Sequence, residues 1–517
     1  MANRMSDLLA AGRPPATVAA KRGAWRLGSL VKAASLPGAE LILRVPLLRD
    51  YLLGKLLESL DTCYDQTEQD QVLLDHIRWF ASHLGPFLRR LIEERPAAAL
   101  AVLRFIGTWT TDVYRRTDAQ LTGRVTPCTV VIEPTDRCNL NCPGCYAKST
   151  ADGCDLPYER LLQVVGEVIQ MGVTLVTISG GEPFLRERAD STLTRLAGRF
   201  RDRGFLVYTN GTLIDAEIAK ALGRLGNIFP AISVEGFEHQ TDARRGRGVY
   251  EHIRSVRRML AGDEVMTGFS ATVTRENAEA IASDDFIDLR IEEGDLFGWF
   301  FLLQPIGRSP RADLMVTADQ RAMLYEAVTR WRIQQRPIFL GDFWNDGYLT
   351  GGCIAGGRYY FHIYANGDIS PCVFAPVACG NIFDIIAGRS KYSSLADLVQ
   401  NHPVFRAFRS AQEEVRLQTR KNAFGGLVTD RARPCLLIDH PHLFRRISRM
   451  PGCIPAKNMS AGYLDGQIAA AIDQAARDWQ VRARTLSDPL SMPAKCGVGD
   501  PKRDLTRLRT PLQRTAN

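Results

Sequence analysis

From Thr126 the chain changes texture, and that change constrains its fold more than any other feature. Six apolar, β-branched runs follow one another: CTVVIEP, VTLVTISG, FLVYTNG, IFPAISVEG, MTGFSATVT and WFFLLQPIG. Amphipathic stretches of helical period separate them, among them YERLLQVVGEVIQMG and DAEIAKALGRLG. Parallel strands cannot be joined by a tight hairpin and need a crossover, usually a helix. Strand and helix patterns in alternation therefore predict an α/β fold built on a parallel sheet. Several runs end in Gly or a polar residue. Side chains at those ends would gather on one face of a barrel, where such enzymes build their sites.

The flanks differ. Residues 1–122 carry apolar residues at helical spacing, as in AELILRVPLLRDYLLGKLLESL and LLDHIRWFASHLGPFLRRLIEE, broken at Pro46, Pro86 and Pro96. We expect an all-helical region over 1–122, a barrel over 123–345, a Gly- and Cys-rich domain over 346–460, and a helical then disordered tail over 461–517. In the third of these, YFHIYANGDIS reads as a hairpin turning at Asn366-Gly367. The net charge of +8 gathers at the ends, in Lys21, Arg22, Arg26 and Lys32 and in Lys502, Arg503, Arg507, Arg509 and Arg514. These residues lack the regular aromatic interleaving that base stacking would want, so nucleic acid is not an expected partner. The basic, amphipathic N-terminal helices suit peripheral contact with a membrane surface or an acyl chain. No apolar run reaches the roughly 18 residues of a membrane span. The first residues lack the apolar core of a signal peptide, which leaves the cytoplasm as the expected location.

Twelve cysteines stand against eight histidines, and three cysteines fall in one loop, Cys138-Asn-Leu-Asn-Cys142-Pro-Gly-Cys145. Clustered cysteines in a chain of this kind favour metal binding or catalysis over disulfides. Three soft thiolates in one loop can hold three irons of a cubane and leave the fourth open to another ligand. A zinc-binding structural or interaction protein is a second reading, although tight zinc sites usually pair CxxC with a second pair. A thiol redox protein using Cys142 and Cys145 is a third. Cys353, Cys372, Cys379, Cys435 and Cys453 lie in one later stretch. Cys63, Cys128, Cys154 and Cys496 stand apart and read as inert thiols.

The strand ends that follow the cysteine loop carry further signals. Ser179-Gly180-Gly181-Glu182-Pro183 closes the second run, Thr209-Asn210-Gly211 the third, Ser233-Val-Glu235-Gly236 the fourth and Gln304-Pro-Ile306-Gly307 the sixth. Paired glycines let a backbone approach a ligand, and a carboxylate matches a cation. In this order the motifs resemble the radical S-adenosylmethionine (SAM) superfamily. CNLNCPGCY is similar to its CxxxCxΦC signature, with Gly144 where the aromatic usually stands and Tyr146 after the last Cys. The resemblance covers residues 126–335. It implies a partial (β/α)6 TIM-like barrel with a [4Fe-4S] cluster on Cys138, Cys142 and Cys145.

The resemblance also implies a SAM site. Gly180, Gly181, Glu182 and Pro183 would stand at the methionine end, with Tyr146, Asn210, Ser233, Glu235 and Thr272 also on the cofactor. Arg245, rather than Arg244, would pair with the SAM carboxylate. GGCIAGGRYYFHIYANGDISPCVF resembles the opening of a SPASM or twitch extension, which implies a second, auxiliary Fe–S cluster. Cys353 and Cys372 fit that opening, Cys435 would return later, and Cys379, Cys453 or a substrate on an open iron would complete the set. The implied chemistry is reductive SAM cleavage to a 5′-deoxyadenosyl radical, which takes a hydrogen atom from substrate. An external one-electron donor of flavodoxin or ferredoxin type is implied. The expected substrate is a small molecule or lipid: a specialised metabolite, a carbohydrate or an acyl chain. Epimerisation, dehydrogenation and C–C bond formation are the matching reactions, with a modified peptide as the alternative. His362, His440 and His442 read as structural, and Asp342, Trp344, Asn345 and Asp346 as either a polar turn or a substrate contact. Replacing Cys138, Cys142 and Cys145 together by Ala is expected to remove one cubane of iron and sulfide and abolish 5′-deoxyadenosine formation. Iron and sulfide assays on anaerobically reconstituted protein check this, and zinc without labile sulfide would contradict it.

Overall fold

The computed structural model describes Trp79, residues 83–421 and residues 432–486. The basic ends of the chain and Cys63 and Cys496 lie outside these residues. The alternating pattern becomes a sheet of nine strands in the order β7-β6-β5-β4-β3-β2-β1-β8-β9. β1 (Thr129–Ile132), β2 (Leu175–Ile178), β3 (Gly204–Thr209), β4 (Ile228–Ser233), β5 (Gly268–Val273), β6 (Phe297–Leu302) and β7 (Phe339–Asp342) run parallel in sequence order. The six expected runs form β1 to β6. β7 is a seventh, whose apolar run is cut short by Pro337 on one side and Gly341-Asp342 on the other.

Each strand divides its side chains between two environments. Val130, Ile132, Val176, Ile178, Val207 and Ile232 point outward into the main hydrophobic core under the helices. Thr129, Val131, Leu175, Thr177, Leu206 and Tyr208 point inward and line a cavity. Helices Leu84–Glu94 and Pro96–Leu121 close the end of the barrel where the strands begin. Arg90 donates to the carbonyls of Asp295 and Ile291 just before β6. Phe87, Leu88, Leu91 and Ala98 pack on Leu206, Phe229 and Phe297. Two helices match the expected helical N-terminus; the remainder of that region lies outside the described residues. No helix among the described residues is long and apolar enough to cross a membrane.

The C-terminal part is stitched directly onto the barrel. β8 (His362–Ile363) adds to β1 in parallel, and β9 (Ile369–Ser370) folds back antiparallel on β8. The hairpin turns at Gly367, at φ +87°, where a Cβ would also strike the Phe383 ring. β10 (Val377–Ala378) pairs antiparallel with β11 (Ile454–Pro455).

The polar turn after β7 faces inward, onto arginines. Arg332 forks onto both oxygens of Asp346 at 2.8 Å. Arg321 reaches Asn345 at 2.8 Å and Asp439 at 2.6 Å, and lies 4.1 Å over the Trp479 ring. This network joins helix Ala318–Ile333, the β7 turn, the loop around Cys435 and helix Gln467–Arg482. Burial, with Asp346 close by, pushes the Asp342 carboxyl up to about 7. The folded chain then binds this proton more tightly than the unfolded chain, whose carboxyl titrates near 3.9. Asp342 therefore costs stability as pH rises from about 4 through about 7. Asp342→Asn is expected to flatten that part of the curve, read as melting temperature against pH. An unchanged pH dependence in the variant would contradict the assignment.

Candidate active site

The cysteine loop leaves the end of β1 and is pinned by its own returning arm. Cys138 N donates to Thr150 O at 2.9 Å, and Arg137 pairs with Asp155 at 2.7 Å. The loop also lies on the Gly180-Gly181 turn. Gly181 N donates to Thr135 O at 2.9 Å and Glu182 N to Arg137 O at 2.7 Å. A Cβ on Gly181 would stand 1.8 Å from Arg137 O, so only glycine allows this approach.

Beneath the loop lies a buried ion cluster. Glu133, fully buried, meets Lys457 Nζ at 2.7 Å and His362 Nε2 at 3.2 Å. Lys457 also reaches Asp136 at 3.3 Å. Burial alone would raise the Glu133 carboxyl, but Lys457 and His362 together hold it below the usual carboxylate range. The loop that carries the first cysteines is thus clamped to β8 and to the segment after β11.

The three cysteines open on a cavity of about 280 Å³ at the strand ends. Tyr146, Gly180, Gly181, Glu182, Asn210, Ser233, Arg245 and Thr272 also line it. Pro183 stands just outside, at the start of helix Phe184–Asp190. Tyr146 Oη meets Ser179 Oγ at 2.5 Å. The Glu182 carboxylate accepts from Thr209 Oγ1 and Asn210 N, each at 2.7 Å, and from Phe184 N at 3.0 Å. Burial nevertheless raises its carboxyl above the ordinary value. Asn210 Nδ2 lies 4.0 Å from Cys138 Sγ. Glu235 turns away from the cavity lining. One of its oxygens receives Arg244 at 2.9 Å and Arg245 at 2.5 Å, and the other accepts Thr272 N at 3.2 Å. The two arginines hold its carboxyl down against the burial that would raise it. Both arginines line the cavity, and Glu235 sets where their guanidinium groups stand.

A second cysteine group lies behind one wall of the same cavity. Cys353, Cys372 and Cys435 are electrostatic neighbours of one another. Tyr360 Oη, itself on the cavity wall, meets Cys372 Sγ at 2.9 Å. Cys379 instead has Cys453 as its electrostatic neighbour. One local geometry recurs in both groups. Leu140 N, Phe374 N and Leu437 N point at the sulfurs of Cys138, Cys372 and Cys435, each at 3.4 Å. Such N–H groups stabilise thiolate and tune an iron–sulfur potential. Burial pushes the Cys138 thiol up to about 11 and Cys372 up to about 12, so iron binding at either must displace a proton. Among the described residues no three Cys, His, Asp or Glu side chains converge on a single ion. A cubane asks for no such convergence, because each thiolate takes its own iron. The donor sets thus fit a cluster in each place.

Residues 132–283 match the family model described as radical SAM superfamily, and residues 353–422 match that of the SPASM iron-sulfur cluster-binding domain. The chain carries a radical SAM domain followed by a SPASM domain. It is an enzyme whose cofactors are SAM, a [4Fe-4S] cluster and auxiliary iron–sulfur. Over 321 residues it is 28% identical to the AdoMet-dependent heme synthase of Methanosarcina barkeri, covering 56% of this chain and 86% of the relative. Over 272 residues it is 29% identical to the mycofactocin maturase MftC of Mycobacterium tuberculosis, covering 49% and 66%. Streptococcus suis SuiB, solved with its precursor peptide SuiA, is 17% identical with a TM-score of 0.45, covering 58% and 71%.

Sequence reading of this radical SAM chain passed over the cavity's far wall. Tyr208, Trp299, Phe301, Phe343 and Phe374 form it, and Tyr146 packs 5.3 Å from Phe374. In sequence they are ordinary strand and turn aromatics; only the inward register singles out those on β3 and β6. Lys457 carried no signal at all. Lys457→Met leaves Glu133 buried with one partner, and is expected to cost about 3–5 kcal/mol. Adding Glu133→Gln should return part of that loss. Melting of both variants checks this, and a loss below about 1 kcal/mol in Lys457→Met would contradict the clamp.

Proposed function

We propose that this enzyme takes a hydrogen atom from an apolar, carboxylate-bearing small molecule held between SAM and the auxiliary cluster, and oxidises it. The observation that carries this reading is Arg308. It follows β6, lines the same cavity as the aromatic wall, and its Nη1 is buried without a hydrogen-bond partner. Gln304 Oε1, on the same stretch of lining, is likewise buried and unpartnered. A buried guanidinium nitrogen left unpaired in an aromatic-lined cavity fits a carboxylate, which the group can take through two parallel hydrogen bonds. The aromatic wall fits the apolar body that bears it.

Cys138, Cys142 and Cys145 would hold the SAM cluster, and Cys353, Cys372 and Cys435 the auxiliary one. When bound, these groups supply reductive SAM cleavage at one side of the cavity and a one-electron partner at the other. Around SAM, Gly180 and Gly181 give backbone access. Glu182, Asn210, Ser233 and Thr272 offer hydrogen-bonding groups, and Tyr146 an aromatic face. Arg245, positioned by Glu235, offers the cation. The aromatic wall excludes water from the reacting position. A carboxylate on an apolar peptide is the second reading, favoured by the relative named as a maturase.

The test uses phenylpropionate and its neutral amide as probes of reconstituted enzyme, read by quenching of tryptophan fluorescence, since Trp299 lines the cavity. The acid is expected to bind more tightly than the amide. Arg308→Ala should weaken the acid roughly tenfold to hundredfold, the range of a charged hydrogen bond, and Arg308→Lys less. Equal binding of acid and amide would overturn the reading. So would an Arg308→Ala variant that raises the KM for SAM and leaves acid binding unchanged.

A further inference from the structure

The chain holds a second pair of thiols outside both cluster groups. β10 and β11 pair antiparallel with Val377 opposite Pro455 and Ala378 opposite Ile454. One step further along that register, Cys379 stands opposite Cys453. Ala456 N donates to Pro376 O at 3.1 Å, which marks that opposed pair as hydrogen-bonded. Pairs alternate along an antiparallel ladder. The Cys379–Cys453 pair therefore falls at a non-hydrogen-bonded position, where opposed side chains approach most closely. The two thiols are electrostatic neighbours, as this register requires. Both are free thiols; Cys379 is buried and Cys453 is partly exposed. Facing cysteines at this separation need little backbone movement to join.

We propose that Cys379 and Cys453 form a reversible disulfide, a thiol-modification site separate from the two clusters. The exchange balances with a low-molecular-weight disulfide such as oxidised glutathione. The partly exposed Cys453 thiolate attacks that disulfide, a mixed disulfide forms and one glutathione thiol leaves. Cys379 then attacks the Cys453 sulfur, the protein disulfide closes, and the second glutathione thiol leaves. The protein loses two electrons and two protons to one glutathione disulfide. The bond would fasten the segment that follows Cys453. That segment carries Lys457, on Glu133 beneath the cysteine loop, and Asn458, whose carbonyl accepts Gly307 N at 3.0 Å. It thus straps the cysteine loop and the β6 turn together, and the disulfide would anchor this strap to the hairpin domain.

The test equilibrates reconstituted holoenzyme anaerobically with glutathione buffers of rising oxidised fraction. Samples are quenched with acid, alkylated and mapped by mass spectrometry. The expected result is a linked Cys379–Cys453 peptide that replaces both alkylated thiols, reverses with dithiothreitol, and leaves iron content unchanged. Hydrogen exchange across residues 453–458 should slow in the oxidised form. Two free alkylatable thiols at every ratio would overturn the proposal, as would glutathione carried on Cys453 without closure. Cys379→Ala and Cys453→Ala should each retain the iron of both clusters. Loss of one cluster's iron in either variant would make that cysteine a ligand and also overturn it. Loss of a cluster only in Cys353→Ala would leave this proposal standing and bear on the active-site reading alone.

Discussion

The Glu133 carboxylate, fully buried at the end of β1, is the interaction on which the rest of the structure depends. An ionised carboxylate in such a place is costly unless paired. Its partners come from far along the chain: His362 from the added strand β8, and Lys457 from beyond β11. Satisfying one charge thus forces three remote segments together beneath the cysteine loop. The SPASM part is consequently an extension of the barrel wall, as the β1–β8 pairing shows in backbone terms. The Arg321–Asp439 pair does the same on the other side, tying the Cys435 loop to a barrel helix.

This construction explains why two cysteine groups share one cavity. Cys138, Cys142 and Cys145 open directly on it, and the second group stands behind Ile354, Tyr360, Val373 and Phe374, which line it. Charge is distributed unevenly around the space. Arg244 and Arg245 are committed to Glu235, and Glu182 to the end of β3. Among the described residues Arg308 is left as the lining cation without an ion-pair partner. A site built this way separates a polar, hydrogen-bonding half from an apolar half.

Much of this was legible in the sequence, for physical reasons. Period and crossover length expose β1 to β6, and the requirement for close backbone approach exposes Gly180 and Gly181. Soft ligands in one loop expose Cys138, Cys142 and Cys145. The remainder depends on facts that appear only in three dimensions. The apolar run of β7 lies between Pro337 and the Gly341-Asp342 pair, which cut it short. Trp299 and Phe301 read like any strand aromatics until the register turns them inward. Glu235 looks like a ligand residue until Arg244 and Arg245 are seen upon it. Cys379 lies close to Cys372 in sequence, yet the β10–β11 register sets it against Cys453. Sequence distance is a poor guide to which thiols meet.

The central claim is that one cavity lies between two clusters held by separate cysteine trios. Mössbauer spectroscopy on iron-57-reconstituted protein tests it most directly, comparing wild type with a Cys353→Ala, Cys372→Ala, Cys435→Ala variant. The expected result is two [4Fe-4S] clusters in wild type and one in the variant, with the surviving cluster still perturbed on adding SAM. A variant that keeps both clusters, or one whose remaining cluster no longer responds to SAM, would contradict the account.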